Sequence, residues 1–293
     1  MECRYVQRPA DLDGLDRLFR RCRAADSHWP LGEHEYLDLV QGASGQSIGL
    51  VFELEHEIVG YAHVTPAAGG EHRLGLAVDP LHRSAELVAL LLEDAMEESR
   101  RAGASRLRFW VFQPALAGIL HRHGFELERE LRQLRCDLPA IAVPVPPNGI
   151  SLRPFEPGRD EETWLTVNNR AFAGHPENGA WDAEILADRQ RQDWFDVEGF
   201  LMAWRGSHLA GFCWTKVHEE SIGEIYVVAV DPGEQGRGLG RYLVLAGLDH
   251  LHRRRNCATG MLYVDAANAG ALALYEELDF WMDHVDRSFV AAI

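Results

Sequence analysis

An apolar, β-branched run from Ile225 to Val230 ends at the turn Asp231-Pro232-Gly233. It passes into Glu234-Gln235-Gly236-Arg237-Gly238-Leu239-Gly240, and a helical pattern starts at Arg241. A strand, a glycine-rich turn and a helix start present bare backbone N–H groups to a phosphate. Glycine has no Cβ to hold the anion away, and the helix end carries unpaired amides. The order Gln235-x-x-Gly238-x-Gly240 is not the G-x-G-x-x-G of dinucleotide sites, and no Gly-Lys-Ser/Thr follows as in a P-loop. The bland alternative is an ordinary glycine-rich turn. Glu224 stands just before the apolar run. A carboxylate is unusual in such a strand, and it could take a proton from a substrate, directly or through water. A glutamate on an exposed strand face is the alternative. Uninterrupted alternation puts Glu224 and Val228 on the same sheet face. Farther on, Asn268 is a good N-cap for a helix through Leu278. Tyr275 then lies two turns in, on a face shared with Ala271 and Leu272. Its phenol could act as an acid, or be a core tyrosine with a satisfied hydroxyl.

These residues belong to one of two similar halves. Residues 139–149 carry Pro139, Pro144, Pro146 and Pro147, which break helices and remove ladder donors, so the segment reads as a stiff, extended linker. It divides the chain into residues 1–138 and 150–293. The halves repeat at a spacing of about 152 residues. Val59-Gly60-Tyr61-Ala62-His63 matches Ala210-Gly211-Phe212-Cys213-Trp214, and Leu76-Ala77-Val78-Asp79-Pro80 matches Val228-Ala229-Val230-Asp231-Pro232. Helical patterns follow, over Glu86–Arg101 and Arg241–Arg254. Strands come next, over Arg106–Phe112 and Gly260–Val264, and then short helices that end near Phe125 and Phe280. The copies differ where chemistry is concerned. Arg83-Ser84-Ala85-Glu86-Leu87-Val88 stands in place of the glycine loop, His72 falls opposite Glu224, and Leu120 falls near Tyr275. The first half is therefore expected to be a scaffold.

Bulk properties narrow the partners. The chain has 293 residues, 46% hydrophobic and 25% charged, enough for two domains with real cores. The net charge of −16, from 29 Lys+Arg against 45 Asp+Glu, argues against nucleic acid or an anionic membrane as partner. It fits a small, positively charged substrate, although acidity also serves plain solubility. No stretch reaches the roughly 20 apolar residues of a spanning helix, and the N-terminus has no apolar signal region. Cys3, Cys22, Cys136, Cys213 and Cys257 are widely spaced and include no C-x-x-C, so reduced thiols in a cytoplasmic protein are expected. His63, His72, His82, His121 and His123 follow no ligand spacing, and no metal is expected.

The glycine loop resembles the pyrophosphate-binding motif of the GNAT acetyltransferases. The resemblance implies an α/β fold with a mixed α+β sheet, as two tandem GNAT-type acyl-CoA N-acyltransferase domains, the first degenerate. It implies acetyl-CoA as co-substrate. Gln235, Gly236, Arg237, Gly238, Leu239, Gly240 and Arg241 would hold the pyrophosphate, and Val228, Ala229 and Val230 the acetyl and pantetheine groups beside a bulge that splays two strands. Tyr263, Asn268, Ala269, Gly270, Ala271, Leu272 and Ala273 would also touch the cofactor. Acetyl transfer to an amine needs a base, oxyanion donors and an acid for the leaving thiolate. Glu224 and Tyr275 are the residues for the base and the acid.

A finer resemblance comes from Asn168-Asn169-Arg170-Ala171-Phe172-Ala173-Gly174-His175-Pro176-Glu177, Gly211-Phe212-Cys213-Trp214-Thr215-Lys216-Val217-His218 and Gly223-Glu224-Ile225-Tyr226. Together they look like the mycothiol synthase family, strongly from residue 150 to about 289 and weakly before. That family acetylates the cysteinyl amine of a cysteine–glucosamine–inositol conjugate, the last step of mycothiol synthesis. Glu33, Glu177, Lys216 and Glu224 would contact that substrate. Glu33 could equally be a first-turn helix acid, Glu177 a solvated loop residue and Lys216 a snorkelling strand end. A monomer is expected. The rivals are a GNAT enzyme for another small amine or peptide N-terminus, and a non-catalytic acetyl-CoA sensor.

Overall fold

The computed structural model describes residues 2–6, 12–26, 28–41, 46–113, 116–174, 179, 181–218 and 221–293, the side chains of 2–6, 33, 34, 41 and 68 excepted. Two compact units emerge: residues 1–131 with 285–293, and residues 132–284.

The first unit runs β1 (Glu2–Val6), α1 (Leu12–Asp26), α2 (Glu33–Gln41), β2 (Ile48–Leu54), β3 (Glu57–Pro66), β4 (Glu71–Val78), α3 (Ala85–Arg101), β5 (Arg106–Val111) and α4 (Ala117–Arg122). Its strands lie in the order β1-β2-β3-β4-β5, antiparallel except for the parallel pair β4/β5. Residues 287–292 then pair antiparallel with β5. Leu15, Leu18, Phe19 and Cys22 recur at helical spacing along α1 and bury with Tyr61 and Ala77 on one sheet face. Leu87, Val88, Leu91, Leu92, Ala95 and Met96 of α3 bury against the other.

The second unit takes the end of β6 (Glu126–Asp137) from Arg132 onward. It continues with β7 (Ser151–Pro154), α5 (Glu161–Ala171), α6 (Ala183–Gln190), β8 (Phe200–Arg205), β9 (His208–Val217), β10 (Ile222–Val230), α7 (Leu239–Arg255), β11 (Thr259–Asp265), α8 (Ala269–Glu276) and the start of β12 (Trp281–Ala292). Its sheet order is β7-β8-β9-β10-β11-β6. The sixth strand of this sheet therefore precedes the proline-rich segment, and the sixth strand of the first unit is the chain's last. Residues 138–150 contain neither helix nor strand, as four prolines dictate.

Two cores flank the second sheet. One is aliphatic, where α7 and α8 pack Leu243, Leu248, Leu251 and Tyr275 against Cys213, Ile225 and Leu262. The other is aromatic: Trp214 is fully buried, stacks on Phe200 at 4.3 Å, and meets the edge of Trp164 at 5.9 Å. This layer, under α5 and α6, is the floor on which the polar residues of β9 and β10 stand.

Candidate active site

The hairpin β9–β10 sets Lys216 directly across from Glu224. His218, at the mouth of the hairpin, bonds its backbone N–H to the carbonyl of Ile222 at 2.8 Å. This turns its imidazole Nε2 to within 2.6 Å of Glu224 Oε2. The Glu224 side chain is 8% exposed and that of His218 35%. Lys216 Nζ lies 4.5 Å from the centroid of Trp194 and 5.2 Å from that of Tyr226, a cation held over two ring faces. Arg189 donates from Nε to the Tyr226 hydroxyl at 3.1 Å.

The same hairpin overturns one expectation. Pairing with β9 steps from Ile225↔Thr215 to Val227↔Trp214, so Tyr226 is an extra, bulged residue. The bulge lies upstream of Val228–Val230, where the family resemblance put it. One inserted residue reverses side-chain parity. Ile225 and Val228 pack toward α7, whereas Tyr226 and Val227 both join the aromatic layer. Lys216, two residues beyond Trp214 on the regular strand β9, lies on the aromatic face, and its partner Glu224 lies there with it. Glu224 and Val228 consequently occupy opposite faces, not one.

Beyond the bulge the sheet opens. β10 and β11 pair in parallel only from Ile222↔Thr259 to Ile225↔Leu262, although β10 continues to Val230 and β11 to Asp265. The backbone of Val228, Ala229 and Val230 therefore keeps its β9 ladder on one side and has no β11 ladder on the other. Val228 and Val230 are half-buried against the α7 core, and Ala229 is buried on the aromatic side.

At the end of β10, Asp231 accepts from the backbone N–H of Gly233 at 2.9 Å and pairs with Arg170. The chain then reaches α7 through Gly236 and Gly238, with φ of +74° and +78°. A Cβ at either would meet nothing within 4 Å, so glycine is needed there for backbone handedness and not for room. Gly238 is the N-cap of α7 and supplies no side-chain acceptor. The first helical bond runs from Tyr242 N–H to Gly238 C=O at 3.2 Å, so the amides of Leu239, Gly240 and Arg241 precede it. Gln235 donates to the Val230 carbonyl at 3.4 Å, Arg237 pairs with Glu234, and Arg241 with Glu277. Uncapped amides at the start of a 17-residue helix, opened by left-handed glycines, suit a pyrophosphate.

α8 completes this end of the sheet. Asn268 accepts from the Ala271 amide at 3.1 Å, the cap expected from sequence. Ala269, Gly270, Ala271, Leu272 and Ala273 form the first turns of the helix. Tyr275 is 6% exposed, packs against Phe280 with ring centroids 5.5 Å apart, and is pushed up to about 12 by burial, with nearby Cys213 adding to the effect. Its phenol is therefore fully protonated near neutral pH. The Tyr263 hydroxyl accepts from Gln133 at 2.6 Å.

Two expected substrate residues are not placed. Glu177 lies outside the described residues. Of Glu33 only the backbone is described, at the first position of α2. Sequence reading assigned no role to His218, Trp194 or Tyr226. A histidine two residues after Lys216, closing a hairpin that leads to Glu224, was the available signal.

In the first unit side chains bind around the counterpart of the glycine loop. Arg83 pairs with Asp26 through two bonds of 2.8 and 2.7 Å and also donates to the Val78 carbonyl. Ser84 caps α3 by accepting from the Leu87 amide. The β3/β4 register runs without a bulge from Gly60↔Val78 to Pro66↔His72. The Ser84 hydroxyl thus takes one of the amides that a phosphate would need.

The family model for the acetyltransferase (GNAT) family matches residues 13–125 and again 163–280. A mycothiol acetyltransferase of Acidimicrobium ferrooxidans is 40% identical over 294 residues, covering 95% of this chain and 93% of that protein. One of Thermomonospora curvata is 44% identical over 266 residues, covering 88% and 86%. In fold, the chain resembles a tandem GNAT protein from the clavulanic acid biosynthesis pathway, with a TM-score of 0.77 at 18% identity, covering 99% of this chain and 98% of that one. It also resembles a GCN5-related N-acetyltransferase from Sphaerobacter thermophilus, with a TM-score of 0.75 at 22% identity, covering 99% and 95%.

Proposed function

Because this chain belongs to the GNAT acetyltransferase family, and is an N-acetyltransferase, we propose that it transfers the acetyl group of acetyl-CoA to the cysteinyl amine of a cysteine–glucosamine–inositol conjugate, the last step of mycothiol synthesis. Relatives 40–44% identical over 88–95% of this chain are named mycothiol acetyltransferase, which supports this reading. The observation that carries the chemistry is the juxtaposition along β10. A buried carboxylate, a strand edge opened beyond Ile225 and an uncapped helix N-terminus follow one another within 17 residues, from Glu224 to Gly240.

In this reading acetyl-CoA supplies a thioester-activated acyl group. The amides of Leu239, Gly240 and Arg241, with Gln235 to Gly238, hold its pyrophosphate. The open edge of Val228–Val230 orients the acyl end, and Tyr263 with residues 268–273 flanks it. Glu224 removes a proton from the substrate ammonium, and Lys216 beside it offers a donor to a polyhydroxylated ligand. Tyr275 gives its phenolic proton to the departing sulfur. Glu33 and Glu177 complete the substrate contacts. The described thiols are buried and free, and burial pushes those of Cys213 and Cys136 up, opposite to what a nucleophile needs. Transfer is therefore direct, in a ternary complex.

The repeat over residues 1–138 serves as a degenerate scaffold domain, 139–149 as a linker and 150–293 as the catalytic domain. The chain acts as a cytoplasmic monomer without a metal. A net charge of −16 supports a small cationic substrate over nucleic acid. Among the described residues no helix is long and apolar enough to cross a membrane. The test is release of free CoA thiol with acetyl-CoA and cysteinyl-glucosamine-inositol, against glucosamine-inositol lacking the cysteine. Release only with the cysteinyl compound is expected. Release with other amines but not this one would overturn the substrate, and tight acetyl-CoA binding with no release from any amine would favour a sensor.

A further inference from the structure

Glu224 has little direct access to solvent through which to give up a proton. The side chain is 8% exposed, and it rests on a layer of Trp214, Trp194 and Tyr226. A base that cannot discharge works once, and a bound substrate shields it further. One oxygen of the carboxylate already has an outlet: Oε2 lies 2.6 Å from His218 Nε2, and that ring is 35% exposed. The other oxygen, Oε1, has no hydrogen-bond partner among the described residues and is the one left to face an amine. Two cations also stand on this face. Lys216 stands opposite on β9, and Arg189 of α6 reaches the Tyr226 hydroxyl; from β11 the register partner is the neutral Met261. The ring, 35% exposed, can hand a proton on to water.

We propose that His218 is the positioning and relay residue of this acetyltransferase, holding Glu224 through Oε2 and carrying its proton to solvent. The inference rests on Glu224 being the base. In each turnover the ammonium N–H bond breaks and the proton joins Glu224. At rest Nε2–H donates to Oε2. Once Glu224 is protonated, the neutral imidazole exchanges through solvent to its Nδ1–H form. The carboxyl proton moves to the freed Nε2, and Nδ1 releases its own proton to water, which restores the Nε2–H form. One proton enters and one leaves, so the pair returns to its starting charge. Nitrogen loses a second proton to solvent as the C–N bond forms and the C–S bond breaks, and solvent returns one to the Tyr275 phenolate, replacing the proton that sulfur took.

The experiment uses the full chain with acetyl-CoA and the cysteinyl conjugate, following CoA release. It compares His218→Ala, His218→Gln and Glu224→Gln, with melting curves and acetyl-CoA affinity measured for each. His218→Ala is expected to lower kcat about 10- to 100-fold with acetyl-CoA affinity unchanged, and added imidazole should restore the rate saturably. His218→Gln keeps a donor for Oε2 but cannot relay, so its kcat should stay low. Glu224→Gln should be slower than either and should not respond to imidazole. Wild-type kcat in His218→Gln, or a folded His218→Ala whose low rate ignores imidazole, would overturn the relay while leaving Glu224 as base. Full turnover in Glu224→Gln would overturn the base assignment itself, and the relay with it.

Discussion

Gly238 offers a sharp test of the pyrophosphate assignment, because its cost to folding can be separated from its cost to binding. At φ +78° with no atom within 4 Å of a would-be Cβ, Gly238→Ala meets no clash. Its penalty is left-handed backbone strain, about 1–2 kcal/mol for an L-residue. Reduced freedom of the unfolded chain offsets about 0.4–1 kcal/mol of this. The net loss is about 1 kcal/mol, or roughly 2–4 °C in Tm for a unit of this size. Gly158 provides the matched control, since it lies in the same unit at φ +83° with nothing within 4 Å, but far along the chain from the loop. Gly158→Ala should cost the same stability. Only Gly238→Ala should turn the amides of Leu239 to Arg241 out of line. Losing one charge-assisted bond to phosphate costs about 1.5–3 kcal/mol, a tenfold to hundredfold weaker Kd. Isothermal titration with acetyl-CoA and with dephospho-CoA, which keeps the pyrophosphate, reads this directly. Equal Kd values for the two variants, at equal loss of Tm, would refute the placement of the pyrophosphate on α7.

Tyr275→Phe should lower kcat by about a hundredfold or more while leaving acetyl-CoA affinity within a few fold; an unchanged kcat would remove the acid role. The same phenol makes the fold alkali-sensitive. Its folded pKa of about 12 lies above the ordinary 10.0, so an unfolded chain releases the proton first as pH rises. The stabilisation, roughly 3 kcal/mol at most, is complete below about pH 10 and lost as pH rises through about 12. Denaturation midpoints across that range should fall less steeply in Tyr275→Phe than in the parent, and parallel curves would contradict this. Gly247→Ala probes the close packing of α7 on the hairpin. A Cβ there would sit 2.6 Å from both Cys213 Sγ and Ile225 Cδ1. Overpacking of about 1–3 kcal/mol outweighs the better helix propensity of alanine, and a Tm a few degrees lower is expected by calorimetry. A higher Tm would mean the hairpin can yield.

Local chemistry made much of this protein legible in one dimension. The glycine loop could be read because αL backbone and bare amides demand glycine wherever they occur. The Asn268 cap and the proline-rich break after Leu138 are likewise short-range rules. The internal repeat exposed the lost glycines of the first half, although not that Ser84 would cap α3 or that Arg83 would bind Asp26. What sequence could not supply were the features set by partners far along the chain. Alternation from Glu224 to Val228 assumed an unbroken ladder. The bulge at Tyr226 exists because Trp214 and Thr215 of β9 pair around it, and it reversed the face of everything beyond. The parting of β10 from β11 after Ile225, the meeting of His218 with Glu224 across a hairpin mouth, and the supply of each sheet's sixth strand from outside its own half were decided the same way. A residue's own type fixes its torsional preferences and its donors. Which strand it lies beside, and so which face it shows, depends on the packing of the whole unit.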